Sequence, residues 1–155
     1  MLPEDFMDAS RMNEVTEKMR AYLVDWLAEL HFKFKMWQET LHVCVGIIDR
    51  YLAQAPELKK SDLQCLGITA LHIAGKYEEI YPPELKNLLR VTDNAVGKPD
   101  IIKMENKILM ALQFSVTFPS SYRFLERFHR LAQVSDKHFV LAQYFVDTSL
   151  LDCRL

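Results

Sequence analysis

Lys76 and Glu105 are charges of opposite sign set beside hydrophobic surface: Lys76 ends an otherwise apolar helical run, and Glu105 interrupts another between Met104 and Ile108. On pattern alone, each reaches water along a solvated edge. Arg20 and Asp49 are likewise embedded in apolar helical segments and read, by themselves, as two unrelated surface charges. His31, His42, His72, His129 and His138 read as ordinary helical histidines. His42 and Cys44, two residues apart on a helix, point about 200° apart and do not share a metal easily. The chain has no Gly-rich phosphate loop, no His-Glu-x-x-His, no Cys-x-x-Cys and no Gly-x-Ser-x-Gly. The residues therefore point to no catalytic group, no metal site and no cofactor, and to a protein that is not an enzyme.

Composition narrows the classes further. Half of the 155 residues are apolar, enough to bury a sizeable core in one domain or in one domain and part of a second. With 21 acidic and 19 basic residues and a formal net charge of −2, no general attraction to nucleic acid or to an anionic membrane follows. Cys44, Cys65 and Cys153 are widely spaced and read as small buried hydrophobes of a reducing compartment. No apolar run approaches the ~20 residues of a membrane span, and Met1-Leu2-Pro3-Glu4-Asp5 does not open a signal peptide. A soluble, intracellular protein is expected.

The elements that position these charges read as helices throughout, because glycines number only four and no period-two alternation is sustained. A first helix is expected from Glu14 to Lys35 with Asn13 as N-cap, and its stripe runs through Val15, Met19, Tyr22, Leu23, Trp26, Leu27, Leu30 and Phe34. A second covers Glu39 to Ala53. A third runs from Ser61 to Tyr77, opened by an S-x-x-Q capping box of Ser61 and Gln64. Gly67, Ala70, Ala74 and Gly75 make it the candidate centre of a bundle. Pro82-Pro83-Glu84 stops it and starts a short helix, and Gly97-Lys98-Pro99-Asp100 opens a fifth that runs to Leu112. Two further helices are expected over 121–132 and 136–152.

Two runs resemble the signature of the cyclin box of mitotic A/B-type cyclins, the activating subunits of cyclin-dependent protein kinases: Met19-Arg20-Ala21-Tyr22-Leu23-Val24-Asp25-Trp26-Leu27 and Lys76-Tyr77-Glu78-Glu79-Ile80-Tyr81-Pro82-Pro83-Glu84. Met104-Glu105-Asn106-Lys107-Ile108-Leu109 lies at the matching spacing. Gln38-Glu39-Thr40-Leu41, Ile47-Ile48-Asp49-Arg50 and Val91-Thr92-Asp93-Asn94 give a B-like flavour. The resemblance implies an all-α fold, a five-helix bundle around a central third helix. It divides the chain into an N-terminal extension at 1–13, a first box at 14–116 and the opening of a truncated second box at 117–155.

The resemblance also assigns roles. Lys76 and Glu105 match the pair that binds backbone groups near one end of the kinase's mobile regulatory helix, and Ile73, Tyr77, Leu109, Phe114 and Val116 fall where the family presents an apolar surface to the kinase. Met19, Tyr22, Leu23 and Trp26, with Glu29 and Gln64, match a groove that docks Arg-x-Leu peptides of substrates and inhibitors. Read without the family, the same stripe is core. Tyr22 departs from the isoleucine or leucine common there and adds a hydroxyl. Arg20 and Asp49 become a partly buried pair tying the first helix to the second.

The implied partners are a cyclin-dependent protein kinase and Arg-x-Leu proteins, in nucleus and cytoplasm, without nucleic acid or membrane. Phe124, Leu125, Phe128 and Leu131, followed by Phe139, Ala142, Phe145, Val146 and Leu150, look like helix faces made for missing neighbours, so self-association through the second-box residues is expected. The alternative is a cyclin-fold transcription-factor-like adaptor that binds DNA or polymerase. That function needs a basic face, and the basic residues here are scattered among acids.

Overall fold

Thr16 sets where the first helix begins. Its backbone is extended and its hydroxyl accepts a hydrogen bond from the Met19 amide at 3.3 Å, so α1 runs Glu17–Lys33. That is three residues later than the pattern suggested, and Asn13 lies outside the described residues. The computed structural model describes residues 14–54, 58–93 and 95–152. Among these the chain is all-helical: α2 is Gln38–Gln54, α3 Leu63–Glu78, α4 Leu85–Arg90, α5 Lys98–Ala111, α6 Ser121–Ala132 and α7 Asp136–Ser149.

The capping box expected at Ser61 does not form. Residues Lys60–Asp62 make a 3₁₀ turn, the Ser61 hydroxyl donates to the neighbouring Asp62 carboxylate at 3.2 Å, and α3 starts at Leu63. Asp62, not Ser61, occupies the N-cap of α3, so Ser61 lies one residue outside the position from which a capping box forms. Gln64 is thereby left half-buried on the helix surface.

α3 touches α1, α2, α4 and α5 and sits at the centre, as the five-helix reading requires. Close approach depends on its small residues. At Gly67 a Cβ would lie 2.6 Å from Leu23 Cδ1, so glycine lets α1 settle directly onto α3. Leu27, Ile47, Ile48, Leu66, Ile68, Leu71 and Ile108 are fully buried between the helices. Burying each such side chain contributes about 1.5–3 kcal/mol.

α2 is more deeply enclosed than its sequence suggested. α3 covers one side of it and α6 another, so even Glu39, Thr40, His42 and Asp49 are buried. The segment joining α5 to α6 is fixed on α2 by Arg50, which donates to the Ser115 and Val116 carbonyls at 2.8 and 3.0 Å. The same guanidinium lies over the Phe118 ring, and that ring occupies the space a Cβ at Gly46 would need.

Candidate partner-docking surfaces

Lys76 reaches the surface because it lies in the last turn of α3, where the buried stripe runs out at Gly75. Glu105 projects from the middle of α5, the helix packed beside it. The two form an ion pair at the protein surface, with the Lys76 side chain 44% and the Glu105 side chain 20% exposed. Both keep hydrogen-bonding capacity beyond the pair, since an ammonium has three donors and a carboxylate about four acceptor positions.

Tyr77, next in sequence, is half exposed, and its hydroxyl shares a hydrogen bond with Thr117 of the α5–α6 segment. Phe114 is exposed although its backbone is left-handed, with φ 59° following Gln113 at φ 50°. Left-handed backbone at an aromatic residue is costly; here it closes the end of α5, where the Phe114 amide donates to the Leu109 carbonyl at 2.8 Å. Leu109 is partly buried against the core. Ile73 and Val116, expected on the same surface, are buried in the core instead and are closed to a partner in the isolated chain. Ile73 lies on the side of α3 that its neighbours cover, and the carbonyl of Val116 is pinned to α2 by Arg50.

His72 lies one turn before Lys76 on α3. Burial pushes its imidazole below the ordinary value, the Lys76 charge adds to the effect, and Glu105 opposes it. Its Nδ1 is enclosed with no protein partner. Trp37, Ile80 and Tyr81 are exposed aromatic or aliphatic residues with no role implied by motif or spacing. They are gathered at one end of the bundle because the Glu79 carboxylate accepts from the Trp37 amide at 2.7 Å and the Thr40 hydroxyl at 2.6 Å, joining the α1–α2 turn to the chain after α3.

The second constellation lies on α1. Tyr22 is 76% exposed, Met19 and Trp26 are partly buried against the core, and Leu23 is buried beneath them. Glu29 is exposed one turn beyond Trp26. Trp26 and Glu29 also line a cavity of about 370 Å³ with Leu30, Lys33, Arg90, Val91 and Asp93. Asp93 thus brings a second carboxylate to the cavity from a different segment.

Arg20 and Asp49 meet inside the protein. The Arg20 Nε and Nη2 donate to the two Asp49 oxygens at 2.6 and 2.8 Å, and both residues are buried. Burial pushes the Asp49 carboxyl above its ordinary value, while the Arg20 hydrogen bonds and charge pull it down. Arg20 Nη1 reaches further, donating to the Leu150 carbonyl at 2.9 Å. Cys44 and Cys65 are buried free thiols, Cys153 lies outside the described residues, and burial pushes the Cys44 thiol up. Among the described residues no cluster of histidine, cysteine and carboxylate side chains is arranged to hold a metal. No helix among them is long and apolar enough to cross a membrane.

The profile of the cyclin N-terminal domain family matches residues 1–117. The chain belongs to the cyclin family. It is similar to the G2/mitotic-specific cyclin-B1 of Anguilla japonica, 45% identical over 142 residues that make up 92% of this chain and 35% of that protein. The corresponding protein of Xenopus laevis is 42% identical over 139 residues, 90% of this chain and 35% of the relative. Cyclin-B2-1 of Arabidopsis thaliana is 39% identical over 154 residues, 99% of this chain and 35% of the relative. This cyclin chain therefore spans about a third of the length of the curated relatives it matches, and its B-like motifs agree with their names.

Proposed function

We propose that this cyclin chain is the regulatory, activating subunit of a cyclin-dependent protein kinase in cell-cycle control, with no catalysis of its own. The observation that carries the reading is the Lys76–Glu105 pair, held at the surface between α3 and α5 with Tyr77, Leu109 and Phe114 around it. A kinase needs the lysine of its third strand paired with a glutamate of its regulatory helix before the phosphates are held correctly. A subunit that grips that helix only in its active position acts as a ligand for the active state. Moving such an equilibrium from 1:99 to 99:1 needs about 5.5 kcal/mol of differential affinity. Exposed aromatic anchors such as Tyr77 and Phe114, covered on binding together with the charge pair, are of the right size to supply it.

The direct test is Lys76→Ala combined with Glu105→Ala. The double variant keeps the helical fold and loses both kinase binding and stimulation; undiminished stimulation of a cognate kinase removes the proposal. The α1 surface is the docking site for Arg-x-Leu peptides. Leucine enters beside Met19, Leu23 and Trp26, and the arginine is drawn to Glu29 and Asp93. Tyr22 crowds the entrance and adds a hydrogen-bonding group there.

The box boundary is placed near residue 117, with α6 and α7 opening a second box. Phe124, Phe128, Leu131, Leu141, Tyr144 and Phe145 are exposed on these two helices, and in the 155-residue chain they pair with a second copy. Light scattering reads this as a mass that rises with concentration. The protein acts in nucleus and cytoplasm.

A further inference from the structure

α6 and α7 bury few side chains completely, although Leu125, Phe139, Ala142 and Val146 are half-buried. α7 contains no buried residue, and Tyr122 is the only one in α6. Of the two helices and their ends, Leu150 alone packs on the core cluster as a partly buried side chain. The Tyr122 ring and a set of polar groups at the two outer ends make the attachment, and nearly all of them meet α2.

At the beginning of α6, the Ser120 hydroxyl donates to the buried Glu39 at 2.8 Å, Arg123 lies 3.5 Å from Glu39 and 3.6 Å from Glu78, and Tyr122 stacks on His42. At the end of α7, the Asp147 carboxylate accepts from Gln38 Nε2 at 2.7 Å and lies 3.1 Å from His42 Nε2. One turn later the Leu150 carbonyl accepts from Arg20. Between these fastenings Leu131, Val134, Val140 and Leu141 face solvent. The segment before α6 is fixed separately, by Arg50 and by Phe118 over Gly46, so Phe114 and Thr117 do not depend on it.

We propose that α6 and α7 form a strap closed on α2 by this polar clasp, which opens as a unit while α1–α5 stay folded, and that Arg20 is the residue coupling the two parts. Two of its nitrogens belong to Asp49 and a third to the end of α7. Arg20 thus senses whether the strap is closed without being needed to hold the strap's apolar surface. A fully apolar contact offers no such separation, because its loss exposes core, whereas hydrogen bonds exchanged with water cost little net free energy. Locally opening units of this kind are drawn from regions with few buried apolar contacts.

Hydrogen exchange on the whole 155-residue chain tests the proposal. Asp147→Ala, at a half-exposed position and compatible with helix, is expected to lower protection of the α6 and α7 amides tenfold or more and leave α2, α3 and α5 unchanged. Gln38→Ala gives a smaller loss in the same two helices. Arg20→Lys keeps a cation against Asp49 but gives up the fork that reaches Leu150; protection then falls in α7 while the α1–α2 amides stay protected. Unchanged exchange in α7 of the Asp147 variant, or equal loss through all seven helices, overturns the proposal.

Discussion

Replacing Asp49 by alanine isolates the most deeply set charge pair in the molecule. The substitution removes the two hydrogen bonds of 2.6 and 2.8 Å and leaves Arg20, only 2% exposed, with a guanidinium that water cannot reach. Breaking a buried pair from one side costs about 3–5 kcal/mol. The Leu150 carbonyl still accepts from Arg20 at 2.9 Å, which places the expected loss near the lower bound, ~3 kcal/mol. For a chain of this size that corresponds to a fall in Tm of roughly 6–12 °C. Urea denaturation followed by circular dichroism measures it, with Asp49→Leu combined with Arg20→Met as the control. Removing both charges together costs less than removing Asp49 alone, because no buried guanidinium then loses its carboxylate. A single-variant loss below about 1 kcal/mol refutes the reasoning, for it would mean that Arg20 finds water or another anion without effort.

Phe114→Gly relieves a left-handed backbone, so stability holds or rises by up to about 1–2 kcal/mol while kinase affinity falls at least tenfold; thermal melts and calorimetric titration read the two effects separately. His72 gives a pH dependence. Its folded-state pKa is depressed below 6.5, so its contribution to stability is complete above that pH and is lost as pH falls through the folded value. His72→Leu flattens the stability profile in that window, and an unchanged slope assigns the effect elsewhere. Glu29→Gln weakens Arg-x-Leu peptide binding several-fold at low salt and much less at high salt, as fluorescence polarisation will show.

The helices and the central place of α3 were legible because their apolar spacing, proline punctuation and small residues all point the same way. Boundaries were less so. Thr16 caps α1 through the Met19 amide, and a 3₁₀ turn over Lys60–Asp62 moves the start of α3 to Leu63, neither of which the apolar spacing encodes. Lys76 and Glu105 could be singled out by sequence motif, but their meeting depends on how α3 packs on α5, which no spacing encodes. The burial of Ile73 and Val116 was hidden for the same reason. Arg20 and Asp49 were read as joining two helices; the third partner, at Leu150, is a backbone carbonyl and has no signature in side-chain types. Asp93 was visible as a motif residue, yet only the folded chain brings it to the cavity that Glu29 lines.

Exchanging the two central charges separates their possible roles most directly. Lys76→Glu combined with Glu105→Lys preserves an ion pair between α3 and α5 but reverses what each helix presents to a partner. Phosphotransferase activity of a cyclin-dependent kinase, measured with this variant as sole activator, is predicted to stay at the level of the kinase alone while the variant's melting temperature matches the parent. Activation equal to that of the unaltered chain would contradict the account, because the pair would then serve only to join two helices.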